Sequence, residues 1–190
     1  MKICRYSVAP EEKHMTRIGV VAVILALGAT PAPAQESTPV GTVITAAEVA
    51  ATIEAAPSGR VSDQQIRMVD AGGHNVGVGV VQRPPTTTMS AIEHHNQTEV
   101  YRVVSGRGTL VTGGTLIGAR ALDPQGAVVR QLTGPSAVGT IEGGNRQPVG
   151  PGDVVIIPAG APHGFSEISE TITYLVVRVD PDQLVELKPE

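Results

Sequence analysis

From Ser62 onward the chain runs in short stretches that alternate apolar with small or polar residues, each closed by Gly, Pro, Asn or Asp. Successive side chains on a strand point to opposite faces, so period-two runs of this length bury one face of a sheet and cannot serve a helix. The spacing predicts strands at Ile66–Val69, Asn75–Gln82, Tyr101–Val104, Thr109–Thr112, Thr115–Ala119, Ala127–Leu132, Val138–Glu142, Val154–Ile157 and Ile172–Val179, with Ser105-Gly-Arg-Gly108 as a turn. About nine short strands without a βαβ rhythm imply an all-β sandwich or small barrel. Phe165 is the only phenylalanine and there is no tryptophan, so the core must be aliphatic.

The residues before the strands read differently. Lys2, Arg5, Lys13 and Arg17 lead into the apolar run Ile18–Ala29, and Ala32-Pro-Ala34 places small residues before a cut at Gln35, the layout of a secretory leader over 1–34. The apolar run falls short of the roughly 20 residues needed to span a bilayer, so stable membrane insertion is not expected. Residues 35–60 read as an arm with one short helix. Thr45 is its N-cap, Glu48 completes a capping box, and Pro57-Ser-Gly59 stops it. Residues 61–190 then form a single domain.

Without the leader, 156 residues remain, with 10 Lys plus Arg against 16 Asp plus Glu, a formal charge of −6. This balance has no basic cluster and excludes nucleic acid and anionic membrane surfaces as natural partners. Cys4 is the only cysteine and leaves with the leader, which excludes a disulfide framework and a thiol nucleophile in a periplasmic or secreted protein.

Two stretches carry chemistry. In Ile92-Glu-His-His-Asn-Gln-Thr-Glu99-Val-Tyr101, an inward Glu99 puts Tyr101 and Val103 on the same face and turns Val100 and Arg102 outward. A histidine four or five positions earlier can return its ring to that side across a bend. In Gly152-Asp-Val-Val-Ile-Ile-Pro158-Ala-Gly160-Ala-Pro-His163, an apolar strand ends in a rigid turn that delivers a histidine. Either histidine stretch alone is equally compatible with a packed or solvated imidazole.

Together the stretches resemble the paired motifs of the cupin superfamily, whose fold is a jelly-roll β-barrel. Glu99 is followed after six residues by Gly106, and Gly152, Pro158, Gly160 and His163 keep every interval of the second motif; Glu167 stands where the family has Asn. The first histidine position of the family falls on Ile92 if His94 is the second, or on Glu93 if His95 is the second. The resemblance implies one divalent first-row metal (Mn, Fe, Ni, Co or Zn) held by His94, His95, Glu99 and His163, with Glu93 joining if His95 is the motif ligand.

A metal-dependent cupin of this kind would act on a small organic molecule by oxygenation, isomerisation, decarboxylation or lyase chemistry. Tyr101 and Tyr174 are the candidate catalytic phenols. The alternative is a non-catalytic module that binds a small ligand or a metal. Family members often dimerise, so a homodimer is expected. His74 reads as a loop residue, and Glu167 as a solvated turn carboxylate.

Overall fold

The computed structural model describes residues 40–189; the leader reading lies outside them. The arm folds first into α1 (Ala46–Glu54). The Thr45 hydroxyl accepts from the Glu48 N–H at 3.2 Å and the Glu48 carboxylate accepts from the Thr45 N–H at 2.8 Å, the reciprocal capping box expected. The helix packs on β1 (Ser62–Asp70), where Glu48 pairs with Arg67. Among the described residues no helix is long and apolar enough to cross a membrane.

The remaining strands are β2 (Asn75–Arg83), β3 (Ser90–His94), β4 (Thr98–Thr112), β5 (Thr115–Ala121), β6 (Ser136–Glu142), β7 (Asn145–Val149), β8 (Val154–Ile157) and β9 (His163–Asp180). All pairings are antiparallel. Two long strands organise the rest. The C-terminal half of β9 lies between β2 and the first half of β4, whose other edge carries β8. The start of β9 lies between β3 and the last residues of β4, whose other edge carries β7, while β3 continues through β6 to β5. Thus β4 and β9 bend from one layer into the other, giving the jelly-roll arrangement expected. The core between the layers is mostly aliphatic: Val81, Val103, Leu110, Ile157, Ile168, Ile172 and Val176 pack around Tyr101, Phe165 and Tyr174.

Three local expectations are corrected. Ser105–Gly108 is not a turn: β4 runs through it, and the ladder to β9 slips at Val103/Ser105, Ser105/Arg107 and Arg107/Gly108, so the extra residues are taken up as bulges that bend the strand. Gly106 sits there at φ +77°, and a Cβ on it would lie 2.1 Å from the Thr171 carbonyl oxygen. Only glycine permits that approach.

Ala127–Leu132 is not a strand. Val129–Thr133 winds into one π-helical turn closed by the Gly134 N–H on the Val129 carbonyl at 3.0 Å. Its apolar residues, Val128, Val129 and Leu132, recur at helical rather than alternate spacing. Strands β3 and β7 were not expected. The first has only five residues, two of them ionisable. The second is a polar edge strand, Asn-Arg-Gln-Pro-Val, in which Pro148 is tolerated because only β4 pairs with it.

Candidate metal centre

Three strand ends meet at one end of the barrel. His94 closes β3, Glu99 is the second residue of β4 and His163 opens β9. Their side chains are buried, at 4%, 1% and 2% exposure, and one ligand atom from each lies within 4.8 Å of the others. The turn after β8 fastens the two motifs together, because the Gly160 N–H donates to the His94 carbonyl at 2.7 Å. Gly160 adopts φ +74°, the left-handed conformation that the turn needs and that glycine takes without strain.

The hydrogen bonds fix which nitrogen of each imidazole is bare. His163 Nδ1 lies 2.9 Å from the Ala161 carbonyl, which can only accept, so Nδ1 carries the proton. His94 Nδ1 lies 2.9 Å from Ser136 Oγ. That hydroxyl faces the carbonyls of Thr133 and Gly134 at 3.1 and 3.0 Å, which take its single hydrogen, so it accepts from His94. Both Nε2 atoms therefore present lone pairs. They point at Glu99 Oε2, at 3.4 Å from His94 and 3.1 Å from His163.

Lone pairs facing a carboxylate oxygen make no hydrogen bond, and His163 Nε2 is buried without a partner among the described residues. A cation resolves such a junction. Ligand bonds of about 2.0–2.2 Å place neighbouring donors roughly 3.0–3.5 Å apart, which matches these separations. The residues present fit a first-row divalent metal with two imidazole ligands and one carboxylate ligand.

The carboxylate is held from its other side. Arg178, fully buried on β9, donates from Nε to Glu99 Oε1 at 2.9 Å. Its remaining nitrogens reach both Asp63 oxygens, at 3.2 and 2.6 Å, and Gln65 Oε1 at 3.1 Å. Burial pushes the Glu99 carboxyl up, but the charge of Arg178 opposes this and its pKa is held well below the usual value. With both imidazoles protonated on Nδ1, the Arg178 guanidinium carries that stabilisation. Burial lowers the pKa of His94 against the pull of Glu99.

The other candidates are distributed as follows. The Tyr101 hydroxyl donates to Glu99 Oε2 at 2.8 Å, and burial followed by the Glu99 charge raises its pKa well above the ordinary phenol value. Tyr174 does not reach the cluster: its ring packs on Tyr101 with centroids 4.3 Å apart, and its hydroxyl accepts from Arg83 Nε at 2.9 Å. His95 stays outside, its side chain 51% exposed and its Nε2 4.0 Å from Glu93 Oε1, so the structure joins His94, not the Glu93–His95 pair, to Glu99 and His163. Ile92 pairs across the ladder with His163, placing an alkyl wall where the family has a further histidine. Arg102 and Glu167 are exposed, in keeping with the sequence reading.

Sequence reasoning missed Ser136 and Arg178. Nothing in the sequence marks Ser136, since it acts through the π-helical turn. Arg178 had a signal: alternation from Ile172 through Tyr174 and Val176 places it inward.

Residues 141–188 match the family model of the AraC-like ligand binding domain, a cupin-like family, across the segment that carries His163 and Arg178. The first motif, outside that match, folds onto the second at the three-ligand cluster. Over residues 141–188 the chain is similar to that cupin-like family. No curated protein matches it. Several solved structures are similar to parts of this chain. The DMSP lyase DddQ from Ruegeria pomeroyi is 17% identical, with a TM-score of 0.43, over 68% of this chain and 51% of that one. A Cupin 2 conserved barrel domain protein from Salinispora arenicola is 18% identical, with a TM-score of 0.39, over 62% and 74%. The chain spans about half the length of the lyase, and 49% of a further neighbour from Acidithiobacillus ferrooxidans that is 23% identical, with a TM-score of 0.31, over 55% of this chain.

Proposed function

We propose that this protein is an exported, metal-dependent cupin that acts on a small organic molecule at the His94, Glu99 and His163 cluster. The observation that supports it is the convergence of two bare Nε2 atoms and a carboxylate oxygen in a buried site, with no proton between them. A divalent ion held there would polarise a substrate oxygen or activate water or O₂. The chain's own residues prepare the site. Ser136 and the Ala161 carbonyl orient the imidazoles, as the partners of metal-bound histidines do. Arg178 occupies Oε1 and leaves Oε2 as the ligand oxygen. Tyr101 keeps its proton and supplies a hydrogen-bond donor beside that oxygen.

Protein purified without an affinity tag is expected to carry about one first-row divalent metal per chain, by elemental analysis. Glu99→Ala and His163→Ala release it, His94→Ala does the same, and His95→Ala retains it. Retention in the first three, or absence of metal under every loading condition, overturns the reading. The second reading is a non-catalytic ligand-binding module, favoured by the match to an AraC-like ligand binding domain; turnover of a defined substrate by metal-loaded protein eliminates it.

Export rests on the leader, and mass spectrometry of the cell-derived protein should find a terminus near Gln35; an intact Met1 or Met15 in cytoplasmic protein rejects it. A homodimer is supported by the edge strand β8, which leaves Val154 and Ile156 60% and 69% exposed. A monomer mass at every concentration in sedimentation rules it out.

A further inference from the structure

The metal centre sits at one end of β3, and the other end of that strand, Ser90, borders a separate cavity of about 310 Å³. Five strand residues place the two roughly 13 Å apart along the chain. The cavity wall is divided by chemistry. Phe165 and Ile168 from β9, both buried, form an apolar side, while Arg83 and Arg60 bring two guanidinium groups and Thr88 and Ser90 bring hydroxyls. No acidic residue lines it.

Arg83 is oriented, not loose. Its Nε donates to the Tyr174 hydroxyl at 2.9 Å, and its guanidinium carbon stands 6.0 Å from the centre of the Phe165 ring. That leaves Nη1 and Nη2, the paired donors of the fork, without a protein acceptor among the described residues. Neither Arg83 nor Arg60 enters an ion pair there, although Arg67, Arg107, Arg130 and Arg178 all do. A half-buried guanidinium with a preset fork pairs best with a planar carboxylate, and the hydrophobic wall beside it suits a short alkyl or aryl body. The volume lies at the small end of ligand cavities, which run about 300–1,000 Å³.

We propose that this cavity is a second binding site, for a small organic acid whose carboxylate pairs with Arg83 and Arg60 and whose apolar body lies against Phe165 and Ile168. None of His94, Glu99 and His163 lines the cavity, and the proposal does not rest on metal binding.

Titration of the mature protein with sodium hexanoate, followed by calorimetry and by amide chemical shifts, tests it. Hexanoate is expected to bind one-to-one and to shift amides around Ser90 and Phe165. Hexan-1-ol, which lacks the charge, should bind at least about tenfold more weakly. Arg83→Gln should weaken hexanoate by about tenfold or more, and Arg60→Gln, an exposed position where misfolding is not a concern, by severalfold. Glu99→Gln and His94→Ala should leave the hexanoate affinity within about twofold, since neither residue lines the cavity. Hexanol binding as tightly as hexanoate, indifference to Arg60→Gln, or loss of binding in the metal-centre variants each overturns the proposal. So does binding of inorganic phosphate where hexanoate fails.

Discussion

Replacing Arg178 with methionine keeps much of the side-chain volume and removes every charge-assisted bond on the far side of Glu99. The wild-type guanidinium makes four: one to Glu99, two to Asp63 and one to Gln65. Their loss is unequal. The Asp63 side chain is 24% exposed and can take water in place of the arginine, whereas Glu99 is 1% exposed and cannot. Most of the penalty therefore falls on one stranded carboxylate, and removing one partner of a buried ion pair costs about 3–5 kcal/mol. Asp63→Asn, which leaves the Arg178–Glu99 bond intact, should cost only about 1–2 kcal/mol.

Urea unfolding of metal-free protein, with chelator present and the slope m unchanged, reads these values. The double variant Glu99→Gln with Arg178→Met removes the stranded charge and should be more stable than Arg178→Met alone by about 2 kcal/mol or more. Additive losses in this cycle, or a cost below about 1 kcal/mol for Arg178→Met, would refute the claim that Arg178 holds a buried carboxylate in place.

Two further tests bear on the fold. Gly106→Ala forces a left-handed conformation on a side chain and drives its Cβ into the Thr171 carbonyl, so a loss of about 2–4 kcal/mol is expected by denaturant unfolding; a near-neutral result would mean that β4 and β9 do not approach there. The Glu48 carboxyl is lowered by the Thr45 N–H, then the Thr45 hydroxyl, with Arg67 assisting. A depressed acid stabilises above its unfolded pKa and loses that contribution as pH falls through the folded value, so Glu48→Gln should cost stability near neutrality and progressively less below about pH 4.5. An unchanged difference down to about pH 2 would contradict the capping geometry.

The strands legible in the sequence were those marked by apolar side chains, alternating in β2 and continuous in β8. β2, with valine at every second position from Val76 to Val80, and β8 are found nearly as read. The failures share a cause. Where the sheet bends or ends, backbone geometry replaces side-chain period as the controlling factor, so the bulges around Gly106 looked like a turn and the edge strand β7 looked like a loop. The segment around Val129 carried apolar residues without strand spacing, and its conformation is set by the left-handed Gly134 that follows.

The site divides along the same line. His94, Glu99 and His163 were legible because motif spacing places each at a strand end, and strand ends on one side of a barrel converge. The choice between His94 and His95 was not legible, since adjacent residues on a strand face opposite sides and the bend after β3 could have reversed them. In the ladder His94 pairs with Ser136, its ring nitrogen meets that hydroxyl, and His95 is turned to solvent. What orients the first imidazole is thus a serine whose hydroxyl is aimed by the carbonyls of Thr133 and Gly134. Both carbonyls lie where the π-helical turn ends. The residues that converge can be read from spacing, but the tautomer that would suit His94 to a metal depends on a stretch of backbone with no periodic signal at all.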